Sequence, residues 1–399
     1  MPATPAASSN VGLQPNAYIY KIINTAPRQD PLTYSKADQL AIIASDDSLR
    51  FLDPATLNVL PGGILKNANE KITCLERAND VPSNVVATAG RDGMIRFWDK
   101  RSRQKALEIQ SPHKLVSALV CDAQKNFIAA GIENPDDGTG VSPVYIWDQR
   151  NPSVPTLTLV ESHTDTITSL QLHPNHPTLL LSSSTDGLVN IFDTSQAEEE
   201  DALYQVINHR SAIAHAGFMY PSTDIYALGT DETMSFYALQ SQKEEEEEPT
   251  PKAFGDVREA LNCEYLVDMH WVGTQPFVAA GKHSEGTLDL VPITNTSGGP
   301  LQYSYFNLKT SIRLPGAHGE EIVRDIYTDT QTQTSYTCGE DGHVRAWKLS
   351  GEEIMDVDDE EEAAPVKKKS KDKDSKARRK EKKEKHQGDD KEKARFKPY

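Results

Sequence analysis

A chain of 399 residues, 37% of them hydrophobic, is long enough to bury a large core, and its four cysteines, Cys74, Cys121, Cys263 and Cys338, stand far apart with no CxxC pair. That usage fits a reducing compartment and argues against a disulfide-stapled fold. The formal net charge of −17 is unevenly placed: residues 367–399 carry 16 Lys+Arg against 7 Asp+Glu, residues 352–362 carry eight acids and no base, and the first 351 residues hold about −18. A body of that sign repels phosphate backbones and attracts cationic proteins, so direct nucleic-acid binding is expected only through the basic tail.

The opening residues MPATPAASSN lack a basic stretch followed by an apolar run and do not read as a secretory signal. No stretch reaches the roughly 18 apolar residues a membrane-spanning helix needs, so a soluble intracellular protein with no membrane partner is expected. The next run, AYIYKII (17–23), alternates as a half-buried strand does. From there one pattern recurs in chain order: ASDDSLRFLD (44–53), AGRDGMIRFWDKR (89–101), the enlarged AAGIENPDDGTGVSPVYIWD (129–148), SSSTDGLVNIFD (182–193), LGTDETMSFY (228–237), AAGKHSEGTLDLVP (279–292) and TCGEDGHVRAWK (337–348). The closing positions Leu52, Trp98, Trp147, Phe192, Tyr237, Val291 and Trp347 are 46, 49, 45, 45, 54 and 56 residues apart. Such a period fits one four-stranded unit per copy, with loop insertions. Small residues such as Ala87, Thr88 and Ala89 are expected on the strand nearest a crowded axis. Asp-Gly supplies the positive φ of a two-residue hairpin, and MIRFW alternates faces.

This pattern resembles the WD-repeat β-propeller family, whose units carry an upstream Gly-His and a terminal Trp-Asp. HGEEIVRDIY leading to CGEDGHVRAWK, with LNCEYLVD, is similar to the group named WD repeat-containing protein 89 in animals and its fungal relatives. The resemblance implies an all-β fold: a single seven-bladed propeller over residues 15–350, with blades ending near 53, 99, 148, 193, 238, 292 and 349, and the run at 17–23 closing the last blade as its outer strand. It also implies a buried hydrogen-bond chain from loop histidine through strand hydroxyl and turn aspartate to indole: His318, Thr337, Asp341 and Trp347 in the last copy. The fourth copy offers His163, Ser182 and Asp186 but ends in Phe192. The second has Thr88, Asp92 and Trp98 with no histidine in NANEKIT.

Three features stand outside the repeat. Trp-Asp-x-Arg at Arg101 and Arg150 resembles the box by which some WD-repeat proteins dock on a cullin-type ubiquitin ligase adaptor, and a turn-capping role stands beside it. Two acidic insertions, EEED (198–201) and KEEEEEP (243–249), read as solvated loops or as docking points for a basic client. From residue 351 onward the chain is charged and poor in apolar groups, the composition of a disordered acidic-then-basic tail. Its clusters Lys367-Lys368-Lys369 and Arg378-Arg379-Lys380 are candidate nuclear import signals, giving an expected location in the nucleus or nucleolus with some cytoplasmic protein.

Enzymatic motifs are missing from this reading. The His, Ser and Asp of the fourth copy belong to the blade's own network, HPNHP (173–177) has no third ligand nearby, and no phosphate-binding glycine loop, HExxH or GxSxG appears. The expectation is a non-catalytic, cofactor-free monomer presenting an acidic surface to proteins. Such a partner would be a multi-subunit nuclear complex, a basic client such as a ribosomal protein or histone, or a ligase adaptor.

Overall fold

In a computed structural model, the structure describes residues 2–26, 37–134, 140–241, 249–295, 301 and 303–349. Their regular secondary structure is almost wholly β-strand, and the strands form seven sheets. Blade 2 shows the plan: Ile72–Arg77, Val85–Gly90, Met94–Asp99 and Gln104–Gln110 pair antiparallel in that order, from the axis outward. Blade 6 adds a variation, since Tyr303–Phe306 and Ile312–Pro315 both pair with its third strand Thr287–Asn295.

The ring closes through the N-terminus. Thr4–Ser9 pairs with Val344–Lys348 and supplies the fourth strand of blade 7, whereas Ile19–Asn24 is the innermost strand of blade 1. This corrects the expectation that residues 17–23 would close the ring, and it moves the first strand ahead of residue 15. The alternation of AYIYKII reflects a strand half-buried against its neighbours, as any inner strand is. TPAASS, small and polar, carries no periodicity and is recruited because Val344–Lys348 would otherwise be an exposed sheet edge.

Packing follows the ring. Among the described residues there are seven apolar clusters, each joining two adjacent blades; one unites Ile42 and Leu52 of blade 1 with Tyr336 and Val344 of blade 7. Fully burying one such side chain contributes roughly 1.5–3 kcal/mol, so the interfaces between blades supply most of the cohesion. The small residues Ala87, Thr88 and Ala89 sit on the second strand of blade 2, not the innermost one, a further correction; they are buried where one blade packs on the next.

All seven inner strands break register near their start, for instance between Ile72 and Cys74, Val116 and Ala118, and Val323 and Asp325. The bulged residue bends the strand away from the axis and frees its side chain for the neighbouring blade. Thus the Thr73 hydroxyl donates to the Val116 carbonyl (2.6 Å) and that of Ser117 to the Ile167 carbonyl (2.7 Å).

The turns joining second to third strands also differ from the two-residue reading. Gly93, Gly187 and Gly342 are left-handed (φ 78°, 87° and 69°) and donate to the carbonyl three residues back, but the aspartates before them are not left-handed. Each aspartate instead accepts the N–H two residues on, as Asp341 does from His343 (3.0 Å). At Gly342 a Cβ would lie 2.5 Å from the Ala17 carbonyl oxygen, so only glycine fits.

Candidate functional site

In blades 2, 4 and 7 a chain of side chains is built by a loop residue reaching down to the second strand. In blade 7, His318 Nδ1 lies 2.6 Å from Asp341 Oδ1, its Nε2 lies 2.8 Å from Thr337 Oγ1, and Trp347 Nε1 donates to the same hydroxyl (3.1 Å). The order is therefore aspartate, histidine, hydroxyl, indole, with the aspartate at the end and not between hydroxyl and indole. Burial alone would raise the Asp341 carboxyl, but hydrogen bonds from His318 and Arg345 outweigh it and hold the group at about 2. Burial likewise lowers the His318 pKa despite that carboxylate. Blade 4 repeats the geometry with His163, Asp186 (3.0 Å) and Ser182 (2.7 Å), ending on a buried Phe192.

In blade 2 the missing histidine is replaced by Asn69. It donates to Asp92 (3.1 Å), accepts from Thr88 (2.6 Å), and Thr88 in turn accepts from Trp98 (2.9 Å). Asn69 went unnoticed in the residue pattern, although a signal was present: it precedes Thr88 by 19 residues, as His163 precedes Ser182 and His318 precedes Thr337. Blade 3 breaks the chain. Ala130 stands where the hydroxyl belongs, and Ser111 Oγ and Trp147 Nε1 are buried with no partner among the described residues.

A histidine between a carboxylate and a hydroxyl has the outline of a nucleophilic triad. However, Ser182 and Thr337 are 0% exposed, so no substrate reaches their oxygens. In HPNHP, His173 turns Nδ1 onto the N–H groups of Asn175 (3.0 Å) and His176 (2.9 Å) and is not free to bind metal through it. Among the described residues no three His, Cys, Asp or Glu are grouped as a metal ion would require. The four cysteines are buried free thiols, and burial raises the pKa of each.

Arg101 and Arg150 lie at one end of adjacent blades, 68% and 73% exposed, each forked onto the aspartate two residues before it. These bonds hold Asp99 and Asp148 at about 2. Arg258 makes the same fork on Asp256 in blade 5, a third copy that the Trp-Asp pattern does not flag. Of the acidic insertions, Glu199 is engaged: its carboxylate accepts the N–H groups of Val160 (2.6 Å) and Glu161 (3.0 Å). Residues 243–248 lie outside the described residues, as do Lys367, Lys368, Lys369, Arg378, Arg379 and Lys380.

The bulged inner strands surround a cavity of about 820 Å³ along the axis. Lys21 of blade 1 is ion-paired with Glu76 of blade 2, and Asp325 of blade 7 accepts the Ile22 N–H (2.9 Å). Burial pushes the Asp325 carboxyl up to about 6. Next to it, Asp268 of blade 6 accepts from the Tyr226 hydroxyl (3.2 Å). None of these was singled out in the sequence; their signal is a charged residue inside an otherwise apolar, alternating strand.

Comparison with known proteins agrees with this architecture. The family described as WD domain, G-beta repeat matches residues 61–99 and 153–193. An uncharacterized WD repeat-containing protein of Saccharomyces cerevisiae is 36% identical over 267 residues, 66% of this chain and 64% of the relative, so the match spans somewhat under two thirds of that protein. One of Schizosaccharomyces pombe is 32% identical over 277 residues, 67% of this chain and 80% of its own. The WD repeat-containing protein 89 homolog of Dictyostelium discoideum is 22% identical over 304 residues, 73% of this chain and 74% of its own.

Proposed function

The chain belongs to the WD-repeat proteins, which typically act as protein-interaction scaffolds, and from that premise we propose that it presents one acidic end of its propeller to basic protein partners in the nucleus. The observation that carries this reading is the placement of exposed acids. In an antiparallel blade, the loops leading into the inner strand and those joining strands two and three emerge at the same end. Asp46, Glu70, Glu161, Asp231, Glu285 and Glu320 are exposed there, spread around the ring. Together with a body charge of about −18, they make a field that draws in cations and is screened by salt. A client such as a ribosomal protein or histone has the matching chemistry.

Affinity purification of the full chain at low and physiological salt, followed by mass spectrometry, tests this. Expected is a set of basic proteins that thins as salt rises and is lost in the Asp231→Lys, Glu285→Lys, Glu320→Lys variant. A partner set indifferent to both would overturn the reading. Deleting residues 352–399 is expected to move the protein out of the nucleus while leaving its melting temperature unchanged. The exposed, paired Arg101 and Arg150 at the opposite end support a second reading, docking on a cullin-type adaptor, which an Arg101→Ala, Arg150→Ala double variant should abolish.

A further inference from the structure

At the acidic end two tyrosines stand at the start of the innermost strand of blade 1. Tyr18 and Tyr20 are 41% and 39% exposed, and among the described residues no other tyrosine, phenylalanine or tryptophan is exposed. Backbone contacts fix their place. The Tyr18 N–H donates to Ser45 Oγ (2.9 Å) and its carbonyl accepts the Ser45 N–H (2.9 Å), which seats it on the turn joining the second and third strands of blade 1. The carbonyl of the preceding Ala17 lies against Gly342, in the corresponding turn of blade 7. Tyr20, two residues on, lines the axial cavity. Burial, then the Asp47 carboxylate, raises the Tyr20 pKa; Arg324 opposes them and Tyr18 and Glu340 add to them, so all four side chains lie near this hydroxyl.

The charges around the pair are not balanced. Asp46 is ion-paired with Arg50 and Glu340 with Arg324, whereas Asp47 and Glu70 have no cationic partner among the described residues. Asp47 reaches across to the loop entering blade 2, where its Oδ1 accepts the Ile72 N–H (3.0 Å) and its carbonyl the Ala68 N–H (2.9 Å), and Glu70 stands exposed in that loop. Asp47 Oδ2 keeps no partner among the described residues.

Two exposed rings beside an unanswered carboxylate match a cation carried on an apolar stem. Lysine has that form: its methylenes lie along a ring while the ammonium meets the ring face and the carboxylate. An arginine fork gains most from a carboxylate that offers both oxygens, and here one is already taken by a backbone N–H. The compact ammonium needs only the other.

We propose that Tyr18, Tyr20 and Asp47 seat a lysine side chain of a basic partner protein, its stem on the rings and its ammonium on Asp47 Oδ2. This rests on the acidic-end reading above and names the partner residue that this end selects.

The test titrates two fluorescein-labelled twenty-residue peptides of equal charge, one alternating Lys-Ser and one alternating Arg-Ser, against the full chain by fluorescence polarisation. Expected is binding of the lysine peptide tighter by about threefold or more, an advantage lost in Tyr18→Ala, Tyr20→Ala, which leaves the net charge unchanged, and lost again in Asp47→Asn. Tyr20→Phe keeps the ring and is expected to bind within about twofold of the natural chain. Asp47→Asn retains an acceptor for the Ile72 N–H, so it holds the loop in place even where the tyrosine variant does not fold. No binding of the lysine peptide, equal binding of the two peptides by the natural chain, or an advantage that survives in either folded variant would overturn the proposal. If Asp231→Lys, Glu285→Lys, Glu320→Lys weakens both peptides while the tyrosine variant weakens neither, this proposal falls alone. If the tyrosine variant removes the advantage while that triple variant binds both peptides as before, only the acidic-end reading falls.

Discussion

Blades 7 and 3 place a tryptophan at the same point, Trp347 and Trp147, both almost fully buried, and give them opposite surroundings. Trp347 ends a continuous hydrogen-bond chain of four residues, while Trp147 Nε1 has no partner among the described residues because Ala130 replaces the hydroxyl. Both blades keep the same strand order, and Trp147 packs in an apolar cluster with Tyr145, Phe97 and Ile128. The backbone ladder and the interblade apolar contacts therefore make a blade. The polar chain locks one that already exists, and a ring of seven tolerates its loss where the hydrophobic interface remains.

The severest way to break blade 7 is to remove its outer strand. Deleting residues 1–9 exposes the edge of Val344–Lys348 and takes Ala3 out of an apolar cluster. A loss on the order of 5 kcal/mol is expected by chemical denaturation, from several ladder bonds at about 1 kcal/mol each plus lost burial, with self-association visible by size-exclusion chromatography. Cutting the polar chain instead, His318→Ala takes one partner from Thr337, which keeps Trp347, and one from Asp341, which keeps His343 and Arg345, and should cost about 2–4 kcal/mol. Ser111→Ala in blade 3, which removes an atom already unpaired, should cost almost nothing. Equal costs would show that the contrast between the blades is only apparent.

Acid sharpens the same contrast, because blade 7's chain titrates and blade 3's does not. A histidine whose folded pKa is lowered contributes stability in full above the unfolded value near 6.5 and loses it as pH falls below that. His318 does so, and His173 and His270, both at about 4, do so down to that pH. Asp341, held at about 2, contributes above about 3.9 and is lost between there and 2. Asp325, raised to about 6, opposes them: the folded state binds its proton first, so stability is gained as pH falls from about 6 to 4. Denaturation at pH 7, 6, 5 and 4 should show a net decline, steeper in Asp325→Asn by up to about 1.4 kcal/mol per pH unit. One change is expected to be a gain. Ala130→Ser offers Trp147 an acceptor and should add about 1 kcal/mol, read as a higher melting temperature; a lower one would mean the space beside the indole is already filled.

Much of the fold was legible before any coordinates because a repeat displays its unit several times. Closing residues at a near-constant period, alternating third strands and a turn residue with positive φ appear even in worn copies such as LGTDETMSFY, where Glu232 takes the left-handed position of glycine. The candidate site was legible only where chemistry follows type and spacing. His318 and His163 stand out as histidines, whereas Asn69 does the same work with an amide and is betrayed only by its offset of 19 residues from Thr88. The forks of Arg101 and Arg150 on their own aspartates are short-range contacts two residues long, yet whether the guanidinium turns back or outward is a rotamer choice that residue order does not encode.

By itself, the amino-acid order determined the number of blades, the alternation within them and the acidic character of the body, since these depend on local pattern and composition. Tertiary structure alone decided which segment closes the ring, which charges line the axis and where a donor and an acceptor remain unpaired. Those outcomes turn on contacts between residues hundreds of positions apart, such as Asp325 with the Ile22 N–H, and their energies exist only once the ring has brought the two ends of the propeller together.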